Sequence, residues 1–454
     1  MRRRLATAAA VTLACALGLL AAGAAEAKIK DVTLRYGPIV VSPYDGKRGG
    51  TQVDAPRMDG SIVEMDAFVV DKHDQVIPQN VVMLHHLVFK DQGHSGNAKL
   101  DGACPGSRGD QRFYGESEEL RALTLPKGYG YRIDREDSWR MGWMLMNHTH
   151  RVQVGWIRYH MKIDTRRLRS VTPYWLSVLG CHVDPQFTVP GAGSSEGSTY
   201  RRDKSFTVPR DGRIVAVGGH LHGGSRGISL TQPRCGNRTL VRSRPVYGQP
   251  DDPVYGVKPL LHEPDPKEIG WWQSATGIPV TRGEKLRVVA SYRDDFPYMR
   301  VMGIDHVYIA HGKAAGGCSE LPADAEELGP DFVGRDAPPH MELTLAQVRS
   351  DGYAYPYDGP SGKTRFFAGS GAVTERRSDF SPNRLSIPAG ARIRWTFEDS
   401  SLHDATLVTG PRGFSSPPMR GGVYSHRFNL PGTYKVYCSL HPVDMQQVVT
   451  VRGH

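Results

Sequence analysis

Beyond its first two dozen residues the chain has no apolar run near the ~18 to 20 residues needed to cross a bilayer as a helix. The expectation is therefore no transmembrane segment. No window carries an amphipathic pattern of three helical turns, so helical bundles and alternating strand–helix folds are excluded. Nothing reads as a strand-to-helix nucleophile elbow, a phosphate loop or a conspicuous carboxylate pair, which leaves hydrolase and nucleotide chemistry without machinery. Cysteine is scarce, with 6 in 454 residues. The formal net charge of +10 is spread along the chain rather than blocked, which favours a solvated surface over a nucleic-acid groove.

What is present is punctuation. Glycine (51) and proline (32) separate short alternating stretches such as Val81–Leu84, Val152–Ile157 and Lys285–Ala290. This is the pattern of an all-β protein built from sandwiches. Arg2-Arg3-Arg4, an Ala/Leu/Val stretch to Ala22, and Ala25-Glu26-Ala27 read as a secretory signal (residues 1–27) cleaved after Ala27, so the mature protein is expected outside the cytoplasm. The Gly/Ser-rich stretch from Pro190 to Ser198 and the acidic, proline-containing stretch 321–344 divide the rest. The expected domains are 28–190, 200–320 and 345–454, the first two jelly-roll-like antiparallel sandwiches and the last a Greek-key sandwich. In an oxidising compartment Cys104, Cys181, Cys235 and Cys318 are expected to form two disulfides with three possible pairings. Pairing Cys104 with Cys181 and Cys235 with Cys318 keeps each bridge within one domain.

The tightest metal-ligand spacing lies in Cys438-Ser-Leu-His441-Pro-Val-Asp-Met445. Alternation in Thr433–Cys438 places Tyr434, Val436 and Cys438 on one face, and Arg392–Phe397 alternates likewise before reaching His403. His403, Cys438 and His441 with a weak axial Met445 form a set that selects copper. Pro388-Ala-Gly, the Trp395 strand, His403, Pro431-Gly-Thr-Tyr and the Cys438 loop resemble cupredoxins of the plastocyanin and amicyanin type. That resemblance implies a type 1 copper shuttling single electrons. The three residues between His441 and Met445 depart from the plastocyanin and amicyanin spacings, which leaves the axial bond open.

Two further histidine groups precede it. His85-His86 lies within an apolar strand, where adjacent residues face opposite ways unless a bulge re-aims one. His220-Leu-His222 needs no such distortion, because residues two apart share a face, and glycines flank it on both sides. Met302, in Tyr298-Met-Arg-Val-Met302-Gly-Ile-Asp-His306, adds a soft thioether. In this order these elements resemble the copper type II, ascorbate-dependent monooxygenases, the peptidylglycine alpha-hydroxylating and dopamine beta-monooxygenase family. Leu125-Pro-Lys-Gly-Tyr-Gly-Tyr-Arg-Ile and Ile278-Pro-Val-Thr-Arg-Gly-Glu-Lys-Leu add to the likeness. The resemblance implies an electron-transfer copper on His85 and His86, with His148 as third ligand among the nearby Met146, His150 and His160. It implies an oxygen-binding, catalytic copper on His220, His222 and Met302, with His306 as competitor to Met302. An unknown small-molecule or peptide substrate and an external electron donor such as ascorbate would complete the reaction. The alternative is a copper-binding electron-transfer protein on a monooxygenase-like scaffold.

Overall fold

The computed structural model describes residues 29–93, 111–119, 122–182, 184–191, 198–318, 320–329, 334–335, 341 and 343–453. The expected signal segment and Cys104 lie outside them. Among the described residues the regular elements are strands, together with two single-turn 3-10 helices at Pro233–Cys235 and Pro253–Gly256. The chain is all-β, as its alternation requires.

A large sheet runs through Ile29–Val41, Gln153–Asp164, Gly60–Val70, Tyr129–Ile133, Arg169–Ser177, Gly303–His311, Gly212–Leu221, Trp271–Val280 and Glu326–Leu328. It draws strands from both sides of the Gly/Ser stretch after Pro190, because Val171–Ser177 pairs antiparallel with Ile304–Ala310. A four-stranded sheet (Gly46–Val53, Trp139–Asn147, Val82–Asp91, Gln111–Glu116) shares one apolar core with the first half of the large sheet. A second four-stranded sheet (Thr199–Thr207, Lys285–Arg293, Ser225–Gln232, Arg238–Ser243) shares another core with the second half.

The C-terminal sandwich packs Arg365–Phe366, Arg384–Pro388, His441–Arg452, Gly432–Cys438 and Thr406–Thr409 against Phe380–Ser381, Gly371–Glu375, Arg392–Phe397 and Gly422–Arg427. Ile393, Trp395 and Phe397 point inward from one sheet, Tyr434, Val436 and Cys438 from the other. The buried Trp395 indole N–H donates to Gln447 Oε1 at 3.0 Å, so its polar atom is satisfied in the core. This core does not stop at the sandwich. Met83, Met144, Met146 and Leu261 belong to the same apolar cluster as Cys438, Leu440 and Met445, so the last sandwich is seated on the histidine-bearing strands.

Cys235 and Cys318 are disulfide-bonded, as the pairing by domain anticipates. Cys181 is also disulfide-bonded, and its expected partner Cys104 lies outside the described residues. Cys438 is a buried free thiol.

Candidate metal centres

The C-terminal centre is made by a tight hairpin. Strands Gly432–Cys438 and His441–Arg452 pair with a register shift after Tyr437 that sets Cys438 directly opposite His441. Two intervening residues therefore suffice to bring thiol and imidazole together. His403 enters from the loop before Thr406–Thr409. Cys438 Sγ lies 3.6 Å from His441 Nδ1 and 3.9 Å from His403 Nδ1. Cys438, His403 and Met445 are fully buried and His441 is half-buried, which leaves one edge of the site towards solvent.

The surrounding groups fix the donors. His403 Nε2 lies 2.9 Å from Asp399 Oδ1, and a carboxylate there can only accept, so the lone pair stays on Nδ1 facing the sulfur. The Asp404 backbone N–H points at Cys438 Sγ at 3.4 Å. Burial pushes the Cys438 thiol up and holds His441 below the usual histidine range. The imidazole is thus neutral and ready to donate, and the thiol would give up its proton to solvent only when a cation takes its place. Mixed thiolate and imidazole donors fit copper.

Asp404 ties this centre to the rest of the molecule. Its fully buried carboxylate takes the Ser439 N–H at 3.0 Å, the Ser439 hydroxyl at 2.6 Å and the Thr406 hydroxyl at 2.6 Å. Its fourth donor is Arg300 Nη1 at 3.0 Å, from the strand leading to Met302. Arg300 has φ of 58°, left-handed backbone that a non-glycine residue adopts only at about 1 to 3 kcal/mol. The side chain is aimed at Asp404 by that turn.

The second centre is a cluster of histidines between the two core halves. The strand Val82–Asp91 has a register shift against Trp139–Asn147 between Leu84 and His86, the irregularity that an adjacent His-His pair needs to reach a common neighbourhood. The rings of His85 and His86 lie 4.2 Å apart, and those of His220 and His222 5.0 Å apart. Gly224 lets the backbone past Tyr298: its φ is +79° and an added Cβ would sit 2.3 Å from that ring.

Three of these histidines are each held by a different carboxylate. His85 Nδ1 is 3.0 Å from Glu118 Oε1, His220 Nδ1 is 2.6 Å from Glu119 Oε1, and His222 Nδ1 is 3.2 Å from Asp265 Oδ2. Carboxylate-held imidazoles with the opposite nitrogen free are the ordinary outer shell of metal-binding histidine. Burial, followed by the neighbouring histidines, pushes His85 and His86 well below the usual range. For His220 burial acts downward, yet Glu119 outweighs it and raises the group. The free nitrogens do not separate into the two sets that the resemblance implies. His86 Nε2 and His222 Nε2 are 3.3 Å apart, and His85, His86 and His222 can offer donor atoms to one point.

His148 is buried with both ring nitrogens lacking a partner, and burial pushes it down to about 3. A buried imidazole satisfied by nothing in the protein is a position for an ion or an unseen donor. Its ring faces His262, 6.4 Å away, rather than the bulk of the cluster. Met302 is buried against Trp175 and Ile304 and lines, with His86, His220 and His306, a cavity of about 200 Å³. His306 packs against Trp175 with ring centroids 4.1 Å apart and planes tilted by 32°. His150 stacks on Tyr353 and His160 pairs with Asp31 and Asp66, away from the cluster.

The sequence patterns single out none of Glu118, Glu119, Asp265 and His262. The two glutamates sit side by side in a turn after Gln111–Glu116, where no period marks them. They are the carboxylate pair that the sequence did not make visible.

A buried His2Cys set at the pole of an all-β sandwich, with a methionine in the same core, defines a cupredoxin. The comparison with curated proteins agrees: a stretch of the chain is 33% identical over 86 residues to amicyanin-alpha of Methylorubrum extorquens strain AM1, covering 72% of that protein and 18% of this one. Through that stretch the chain belongs to the amicyanin cupredoxins. Among solved structures it is similar to a purple cupredoxin from Nitrosopumilus maritimus (31% identity, all of that chain, 18% of this one, TM-score 0.17). It is also similar to the Cu(I) form of an amicyanin mutant (26% identity, 90% of that chain, 19% of this one, TM-score 0.17). No protein-family model matches the chain.

Proposed function

We propose that the protein is an exported copper monooxygenase in which the cupredoxin feeds electrons to the histidine cluster. The overall reaction would take a substrate C–H bond, O2, two electrons and two protons to C–OH and water. An external one-electron reductant of the ascorbate class would supply the electrons. The observation that carries this reading is the set of three buried histidines, each turned by its own carboxylate: His220 lines the cavity of Met302 beside His86, and His85 and His222 offer donor atoms to one point with His86. His403, Cys438, His441 and Met445 would hold the type 1 copper, and His85, His86, His148, His220, His222 and Met302 the core copper. Copper on mixed imidazole and thioether donors supplies oxygen binding and one-electron chemistry. Around it the protein would orient substrate and exclude water, for which the wall of Trp175, Met302 and Ile304 is suited. Export after cleavage at Ala27 and the division into 28–190, 200–320 and 345–454 belong to the same proposal. The Cys235–Cys318 bridge is consistent with export.

One observation favours a second reading, electron transfer without oxygenation. The resemblance assigns His86 and His222 to two different coppers, whereas their ring nitrogens are 3.3 Å apart. Turnover under labelled O2 with ascorbate and a panel of small C–H substrates decides between the two. Label in an alcohol product supports the monooxygenase. Reduction of the type 1 centre followed by electron passage to the core, with no labelled product, supports the second reading.

A further inference from the structure

The residues around His262 do not fit a purely hydrogen-bonded histidine. His262 Nδ1 is 2.7 Å from the Glu263 carbonyl oxygen. A carbonyl only accepts, so Nδ1 bears the proton and the neutral ring presents a lone pair at Nε2. Yet Nε2 faces two more acceptors, Met83 Sδ at 2.8 Å and Glu118 Oε1 at 3.1 Å. Glu118 Oε1 is already engaged by His85 Nδ1, and its Oε2 by the Asp265 N–H at 3.2 Å. Three electron-pair donors thus point at one another in a largely buried place. Either a second proton sits on His262, making an imidazolium paired with Glu118, or a cation belongs there.

His148 separates these choices independently. Both its ring nitrogens are buried and unpartnered, the residue is only 7% exposed, and its near neighbour is His262. An imidazolium at His262 would leave His148 orphaned. A metal ion on His262 and Glu118, which with His85 offer donor atoms to one point, would place a cation on the side that the His148 ring faces.

We propose that His262, Met83 and Glu118, with His148 alongside, form a metal position of the core distinct from the one served by His86, His220 and His222. His85, held by Glu118 on one nitrogen and facing His86 and His222 with the other, stands between the two. The thioether and the imidazole favour a soft, low-valent ion, with the carboxylate supplying charge, and Cu(I) is the ion this set would take. The position also has a direct connection to the cupredoxin. Tyr437, the residue before Cys438, donates its hydroxyl to the carbonyl of Leu261, the residue before His262, at 2.8 Å. The inference rests on the copper reading of the core but assigns ligands that reading does not include.

The test is copper stoichiometry on the mature full-length protein reconstituted anaerobically with Cu(I), counted by atomic emission. The type 1 visible band after oxidation serves as the control for folding. His262→Gln and, separately, the volume-conserving Met83→Leu are expected to lose about one core copper, or to weaken it at least tenfold against a Cu(I) chelator. Both should leave the type 1 band unchanged. His222→Gln should lose a different core copper, so that combining it with His262→Gln removes both. Full copper retention at parental affinity in His262→Gln and Met83→Leu would overturn the proposal and leave His262 as an imidazolium. A parent that binds copper only at the type 1 centre would overturn the copper reading of the core itself, a result distinguishable because it needs no variant.

Discussion

The Arg300–Asp404 pair is the contact whose removal says most about how the two halves work together. Arg300→Gln deletes the guanidinium while keeping a polar chain of similar reach. Removing one partner of a buried pair costs about 3 to 5 kcal/mol when the remaining charge is left alone. Asp404 is not left alone, because the Ser439 N–H and hydroxyl and the Thr406 hydroxyl remain. One Arg300 nitrogen is itself buried without a partner, a loss already present in the parent. The expected penalty is therefore nearer the lower end, roughly 2 to 3 kcal/mol. Arg300→Gly supplies the internal check, since the same contact is lost while the strained φ of 58° becomes free for glycine. It should be less damaging than Arg300→Gln by about 1 kcal/mol. The assay is calorimetric unfolding of the copper-loaded protein, followed in parallel by the type 1 band, and a double-mutant cycle with Asp404→Asn isolates the pair. A coupling energy within about 0.5 kcal/mol of zero, with Arg300→Gln melting like the parent, would refute the reasoning and make the bridge a surface-like contact.

Asp399→Ala should weaken the type 1 copper about tenfold, the low end of the 10- to 100-fold range for an outer-shell partner, because Glu375 Oε1 stays 3.4 Å from His403 Nε2; chelator competition measures it. Burial raises the Asp305 carboxyl to about 8. Its folded-state value lies above its unfolded one, so its contribution to stability is full below about pH 4 and is lost as pH rises to about 8. Asp305→Asn should therefore melt like the parent near pH 4 and be more stable at pH 7, by on the order of 4 kcal/mol at about 1.4 kcal/mol per pH interval; a difference independent of pH contradicts this. Replacing Cys235 and Cys318 together by alanine opens a loop of 83 residues, a loss of about 4.5 kcal/mol on loop-closure grounds, read as a lower melting temperature of the oxidised protein that vanishes when both forms are reduced.

The cupredoxin centre was legible in sequence because its determinants are local. A two-residue hairpin fixes Cys438 against His441, and period-two alternation tells which way each side chain points. The pairs His85-His86 and His220-x-His222 were legible for the same reason, and the bulge that the first pair demands is present at Leu84/His86. The carboxylates were not. Glu118 reaches His85 across 33 positions, Glu119 reaches His220 across 101, and Met83 meets His262 across 179. Contacts of that span depend on how loops fall over a finished sheet, which no local period encodes. The Gly/Ser stretch after Pro190 shows a further limit. It marks a flexible connection in the chain, but strand pairing resumes on its far side, where Val171–Ser177 meets Ile304–Ala310 within one sheet.

Several of the hydrogen bonds between the core halves and the cupredoxin lie within one or two residues of a donor. Asp404 follows His403, and Arg300 stands two residues before Met302; Tyr437 precedes Cys438, and Leu261 precedes His262. A third contact, the Gly46 N–H to the Leu440 carbonyl at 3.1 Å, comes one residue before His441. These three hydrogen-bonded crossings fall beside ligands, while the Gly413 N–H to the Pro190 carbonyl at 3.0 Å and the Ala354 N–H to the Tyr44 hydroxyl at 3.2 Å cross elsewhere on the interface. An interface needed only to hold a tethered sandwich in place could use any part of its surface, and a loose tether would serve a mobile carrier equally well. The three crossings beside the ligands go further and hold the cysteine and histidine loops in register with the histidine cluster. That arrangement suits direct electron passage between the centres, and it predicts that the detached cupredoxin, supplied in trans at matched concentration, reduces the core more slowly than the fused chain does.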